Sequence, residues 1–283
     1  MILGPFSVLT GHVPDLDARL PAKHSLRRAA DEAKMAVAVA AEVLKGVPVS
    51  DRLGVYIGQH QGSLEFCAKF IDQSYKEGPR FASPAYFAES VANNTATHLS
   101  LTFGLKGVVQ TFIGSRVAGI QAVMAAREDV EDGVVDAGLV VVISGPTLLT
   151  RDAYGAVYHP HRRRTSESFT MLRGAGACLV RREGAGPRLE RAAVRSAGRG
   201  RAVDALRSLG VSGPVLGSWF CLSGLSSRLA FSAAGLDPMR LEEPGEAFAL
   251  DPFLQLLAER RAGPRTVVTL SEEGTAGVLS LIG

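Results

Sequence analysis

No lysine follows Lys106 and no histidine follows His161, although 122 further residues lie beyond that histidine in a chain of 283. The last two fifths of the protein therefore hold no imidazole and no amine side chain for acid, base or Schiff-base work. Cysteine is scarce too: the three thiols, Cys67, Cys178 and Cys221, have no CxxC spacing and stand in apolar surroundings. This argues against a disulfide framework or a zinc set, and all three are expected to be buried thiols, with no metal site and no cofactor. Long apolar runs are missing as well. Gly138 to Ile143 and Met35 to Ala41 are far shorter than the roughly 20 residues of a membrane span. The opening MILGPFSVLTGHVPDLDARL has no basic stretch followed by an apolar one, so the expected location is the cytoplasm.

What is present is the composition of a folded domain: 46% hydrophobic, 21% charged, with 31 glycines and a formal net charge of +3. One dense basic cluster, HPHRRRTSES, carries Arg162, Arg163 and Arg164. It reads either as a solvated loop or as a dock for an acidic partner. Nucleic acid is not expected, because no aromatic side chain beyond Tyr158 is interleaved with it and no binding motif accompanies it.

Hydrophobic periodicity predicts a helix capped by Ser25, with Ala29, Ala33, Val37, Ala40 and Leu44 on one face and Gly46 as its stop. A buried strand, Leu53 to Ile57, closes at Gly58. A helix from Asn93 to Phe103 ends at Gly104, followed by strand Val108 to Ile113, helix Val117 to Val130 and strand Leu139 to Ser144. Such alternation argues for a mostly parallel sheet covered by helices. The C-terminal part repeats the theme more weakly, with a strand and turn in PVLGSWFCLSG, a helix Asp251 to Arg261 capped by Asp251, and a closing hairpin. The Gly- and Arg-rich stretch from Arg181 to Ala202 reads as a seam, dividing the chain into related halves, 1–181 and 182–283.

The corner at "FIGSRVAG" is where a strand passes straight into a helix N-terminus, a position that suits a nucleophile. It holds Ser115 and Arg116, and a guanidinium is not a nucleophile.

From Ser83-Pro84 to Gly119 the spacing resembles, without a gap, that of the β-ketoacyl synthases (ketosynthases) of the thiolase fold. DRLGVYIG, SFTMLRGAGACLV and TLSEEGTAGVLSLI match further segments of that family in order. The resemblance implies an α/β, thiolase-like fold of two related halves in α-β-α-β-α layers. It places Arg116 where the family has its nucleophilic cysteine. Leu222 and Glu246 fall where it has two histidines, and Arg173 falls where its glycine-rich strand has a glutamate.

With that chemistry missing, the chain resembles the family's chain-length factors, pseudo-ketosynthases that pair with an active ketosynthase in type II fatty-acid or polyketide synthesis. Its length resembles that of compact ketosynthase-like proteins beside aryl-polyene-type synthases. The implied partners are an active ketosynthase subunit, in a heterodimer across the strand containing Thr111 and Phe112, and acyl carrier protein. The same resemblance makes Tyr86 and Ser90 candidate tunnel-floor residues and Phe87 an interface residue. Three readings stand beside this: a homodimeric scaffold for acyl ligands or carrier protein, a malonyl decarboxylase, and a hydrolase using Ser115. Arg116 either receives a substrate carboxylate in its bidentate fork or plugs the old pocket with its stem.

Overall fold

The computed structural model describes residues 1–21, 26–158, 170–219, 224–240, 246–258 and 264–283. Its elements run β1 (Ile2–Thr10), α1 (Asp31–Val43), β2 (Leu53–Gln59), α2 (Leu64–Glu77), α3 (Pro84–Ser90) and α4 (Asn94–Phe103). There follow β3 (Val109–Ile113), α5 (Ala118–Glu131), β4 (Ala137–Ser144), α6 (Leu148–Tyr158) and β5 (Gly174–Arg181). The later part holds β6 (Arg188–Ser196), α7 (Ala202–Ser208), β7 (Gly213–Trp219), α8 (Gly224–Ala233), β8 (Leu236–Met239), α9 (Asp251–Ala258), β9 (Arg265–Leu270) and β10 (Thr275–Ile282).

The strands lie in the order β3-β2-β4-β5-β1-β6-β10-β9-β7-β8. The two five-strand sets share one plan. β2 runs parallel to β3 and β4, and β5 is antiparallel to β4 and β1; likewise β7 runs parallel to β8 and β9, and β10 is antiparallel to β9 and β6. A single residue pairing, Ile2 with Arg188, joins β1 to β6.

Strand alternation sends alternate side chains to opposite faces, and three cores result. Leu139, Val141 and Ile143 of β4 face α1, while Val140 and Val142 face the interior between the two strand sets. α5 fills that interior and touches β2 and β4 on one side and β6 on the other. α9 shares the layer, with Phe253 against α5. α7 and α8 cover the far face through Ala205, Leu206 and Phe231, against Val268, Leu270 and Val278. The layers are therefore helix, sheet, helix, sheet, helix. Small side chains let the inner layers approach closely: a Cβ on Gly58 of β2 would lie 2.5 Å from the Gly119 Cα of α5.

Several expectations need correction. α1 begins at Asp31 after an extended Ala30, and Ser25, its expected cap, lies outside the described residues. Gly58 does not end β2; it continues the strand because only a glycine fits against α5 at that point. The supposed seam contains a whole strand, β6, in which exposed Arg188, Glu190, Arg195 and Ser196 flank buried or half-buried Leu189, Ala192, Ala193 and Val194. Asp251 stands at the start of α9, but its side chain is fully buried and engaged elsewhere. Of the cysteines, Cys178 is buried, Cys67 is only half-buried and Cys221 lies outside the described residues.

Candidate functional site

β3 turns at Gly114, whose φ of 140° is a conformation other residues rarely adopt, and the chain enters α5 through Ser115, Arg116 and Val117. Ser115 Oγ accepts from the Val117 backbone N–H at 3.3 Å, and no basic side chain among the described residues hydrogen-bonds to it. Arg116 turns inward and is the largest fully buried side chain described.

An unpaired guanidinium in such a place would be prohibitively costly. Its partner comes from 130 residues further along the chain: Arg116 Nη2 donates to Glu246 Oε1 at 2.5 Å, and neither side chain is exposed. Glu246 is fixed by its own backbone, which donates to Thr170 O at 2.7 Å and accepts from Leu172 N at 2.9 Å, just ahead of β5. The same Oε1 accepts from the Phe248 backbone N–H at 2.7 Å. Two more carboxylates face the guanidinium, Asp251 at 3.5 Å and Glu272 at 3.7 Å. Asp251 also accepts from Ser218 Oγ at 2.7 Å and from Arg240 at 3.1 Å. Burial alone would lower the Arg116 pKa, but the charges of Glu246, Glu272 and Asp251 outweigh it and hold the guanidinium charged.

Aromatic groups seal the cluster. Phe248 has φ of 46°, a left-handed conformation unusual for so large a residue. Its ring stacks on His60 with centroids 4.2 Å apart and planes within 14°. His60 Nε2 lies 2.8 Å from the Tyr154 hydroxyl. Burial, and then the Arg116 charge, lower the His60 pKa to about 4, so the imidazole that shares this hydrogen bond with the phenol is neutral at ordinary pH. Burial also raises the Tyr154 pKa well above its ordinary value.

Of the positions singled out in the sequence, Arg116 and Glu246 are thus brought into direct contact. Leu222 lies outside the described residues, as do Arg162, Arg163 and Arg164. Arg173 pairs with Asp31 at 3.1 Å, away from the cluster. Tyr86, Phe87 and Ser90 belong to α3, which with α2 forms an arm with no buried residue in either helix. There Phe66 meets Tyr86 edge-on at 6.2 Å, Phe70 meets Phe87 at 5.5 Å, and Ser90 O accepts from Cys67 Sγ at 3.2 Å. Phe112 packs on the central core, and the Thr111 hydroxyl is buried without a hydrogen-bond partner. β3 itself stands at the edge of the sheet, with Val109 and Ile113 exposed. Sequence reasoning missed His60, Tyr154, Phe248, Arg240 and Glu272, because residues this far apart carry no common spacing. Glu272, in the match TLSEEGTAGVLSLI, and Phe248, two residues after Glu246, stood in segments already singled out.

The strand order and the five layers define the molecule as an α/β protein with a thiolase-like fold. Neither models of known families nor curated proteins match the sequence, whereas solved structures do. The ishigamide ketosynthase/chain length factor is similar with a TM-score of 0.74 and 21% identity, over 96% of this chain and 86% of that one. A beta-ketoacyl synthase from Burkholderia phymatum STM815 gives a TM-score of 0.73 at 14% identity, over 96% of this chain and 91% of that one. A ketosynthase in complex with its chain length factor, from Xenorhabdus doucetiae, gives 0.56 at 15% identity, over 99% of both chains. At these identities the likeness is one of fold. No helix among the described residues is long and apolar enough to cross a membrane.

Proposed function

We propose that this chain is a non-catalytic, ketosynthase-like subunit of the chain-length-factor type. It pairs with an active ketosynthase and shapes the tunnel for the growing acyl chain in type II fatty-acid or polyketide-like synthesis. The observation that carries this reading is the buried Arg116–Glu246 ion pair. It fills the strand-to-helix corner where condensation needs a thiolate, and Glu246 stands where the resemblance puts an imidazole. Of the two roles open to Arg116, plugging the corner is favoured, since the guanidinium already has a carboxylate of its own chain. Ser115 as a hydrolytic nucleophile lacks support: His60, the histidine on this side of the cluster, gives its Nε2 to Tyr154.

The free edge β3, with Thr111 and Phe112, is the proposed seam of the heterodimer. An unpaired edge with exposed Val109 and Ile113 is a liability that pairing removes. The α2–α3 arm lies next to it: a Cβ on Gly62, just ahead of α2, would lie 3.8 Å from Ile113 Cδ1. On this reading Tyr86, Phe87 and Ser90 reach the partner's tunnel, and Arg162, Arg163 and Arg164 dock acyl carrier protein. We further propose the division into halves 1–181 and 182–283, supported by the shared strand plan.

Co-expression with an active ketosynthase tests the reading. A 1:1 complex should form, with an interface above roughly 2,000 Å² as in obligate pairs. Within it, Tyr86→Ala should lengthen the products and Ser90→Trp should shorten them. A chain that sediments only as a homodimer, with product length indifferent to both substitutions, refutes the reading in favour of a scaffold.

A further inference from the structure

Two carboxylates compete for one guanidinium nitrogen in the plug. Arg116 Nη2 lies 2.5 Å from Glu246 Oε1 and 3.7 Å from Glu272 Oε1. The first contact is a hydrogen bond; in the second, Glu272 Oε1 is buried with no hydrogen-bond partner. The remaining described charges pair off, because Asp251 is held by Arg240 at 3.1 Å while it also faces Arg116 at 3.5 Å. The described cluster therefore has two cations, Arg116 and Arg240, against three carboxylates, Glu246, Asp251 and Glu272. Glu272 is the odd one.

Its position differs from that of the other two. It sits in the turn between β9 and β10, and its side chain keeps 17% of its surface exposed where Glu246 and Asp251 have none. A proton can therefore reach Glu272 from solvent without unfolding the plug.

We propose that Glu272 is a proton-operated latch on the Arg116 plug. When protonated it leaves Arg116 to Glu246, and when ionised it draws on the same nitrogen and loads the site with an unbalanced charge. Every group facing it bears on this balance. Arg116, at the start of α5, favours ionisation; Glu246, ahead of the turn to α9, and the adjacent Glu273 oppose it. Tyr154 of α6 and His60, at the end of β2, are both neutral at ordinary pH. Burial is the largest influence and holds the Glu272 carboxyl above the usual range, while Arg116 and the residue's own backbone N–H pull the other way. A carboxyl whose folded pKa is raised binds more protons in the native than in the unfolded chain. Its contribution to stability is present in acid and lost as pH rises through the folded value.

The experiment uses the full chain without a partner, so its failure leaves the heterodimer reading untouched. Across pH 5 to pH 8, the thermal midpoint of the wild type should fall with rising pH relative to that of Glu272→Gln, in which the His60 contribution is unchanged. The curves should separate by a few degrees, about what a modest change in stability gives for a chain of this size. Parallel curves overturn the proposal. Carbon NMR of the chain labelled at glutamate carboxyls is a second measurement, whose refuting outcome does not require Glu272→Gln to fold. Among the described residues Glu32 is the other glutamate whose pKa burial raises; in Glu32→Gln a high-titrating carboxyl that disappears on adding Glu272→Gln should remain, and finding none refutes the latch. Competition is tested by Glu246→Gln, which frees Arg116 to pair with Glu272. The high-titrating carboxyl should then shift down, and an unchanged position overturns the shared-nitrogen arrangement.

Discussion

Removing Arg116 should be among the most damaging single changes available in this protein, and removing Glu246 along with it should be far less harmful than the sum of the two. Breaking a fully buried pair by deleting one partner costs about 3–5 kcal/mol, because the other charge is left without compensation. Arg116→Met keeps much of the apolar stem but leaves Glu246, Asp251 and Glu272 with Arg240 as their one described cation, so the upper end applies, about 4–5 kcal/mol. Glu246→Gln is milder, at about 2–3 kcal/mol. The amide still accepts from Phe248 N–H, and Arg116 keeps Asp251 and Glu272 within reach. Simple addition gives about 6–8 kcal/mol, yet in the double variant neither charge is left stranded by the other. It should cost about 4–5 kcal/mol, a coupling of about 2–3 kcal/mol. The readouts are urea midpoints for all four proteins and a Tm lowered by about 10 °C in Arg116→Met. Since the pair is buried, the coupling should also be insensitive to salt. Additivity within about 0.5 kcal/mol, or an Arg116→Met protein as stable as the wild type, refutes the account of the corner as a charge-paired plug.

Two further outcomes follow from the same geometry. Gly119→Ala places a Cβ 2.8 Å from the Phe253 ring, 2.9 Å from Ala249 O and 3.0 Å from Val142 Cγ1; it should lower stability by about 1–3 kcal/mol or more, and a Tm within a degree of wild type contradicts the close approach of α5 and α9. His60 should stay neutral down to about pH 4 in the folded chain, so its ring resonances should not titrate near 6.5. Because the unfolded chain binds that proton first, stability falls as pH drops from the ordinary histidine value toward 4, and Arg116→Met should move the His60 titration upward.

Regular periodicity made much of the fold legible in the sequence. α4 and α5 and strands β3 and β4 appear within two residues of their expected bounds, because each has an amphipathic or β-branched pattern and a glycine or turn at its end. Gly104 ends α4 in the left-handed conformation its position required. β6 was hidden because a half-exposed strand rich in arginine looks like a linker when read alone, and only its pairing with β10 along nearly its whole length reveals it. Gly58 misled for a related reason: a glycine in a strand can mark an end or a close approach, and the choice rests with a helix contributed 60 residues later.

Residue identities alone establish what this protein lacks: a cysteine at the strand-to-helix corner, and histidine or lysine anywhere in its later part. Absences of this kind are one-dimensional facts, complete once the residues have been read. What fills their place becomes visible in the folded chain. Arg116 and Glu246 each look like an isolated loss in the sequence, and neither a spacing nor a motif links them. Chain connectivity says nothing about which carboxylate will meet a guanidinium 130 residues away. Burial forces the answer, since a charge withdrawn from water persists only if the fold brings an opposite charge to within hydrogen-bonding distance.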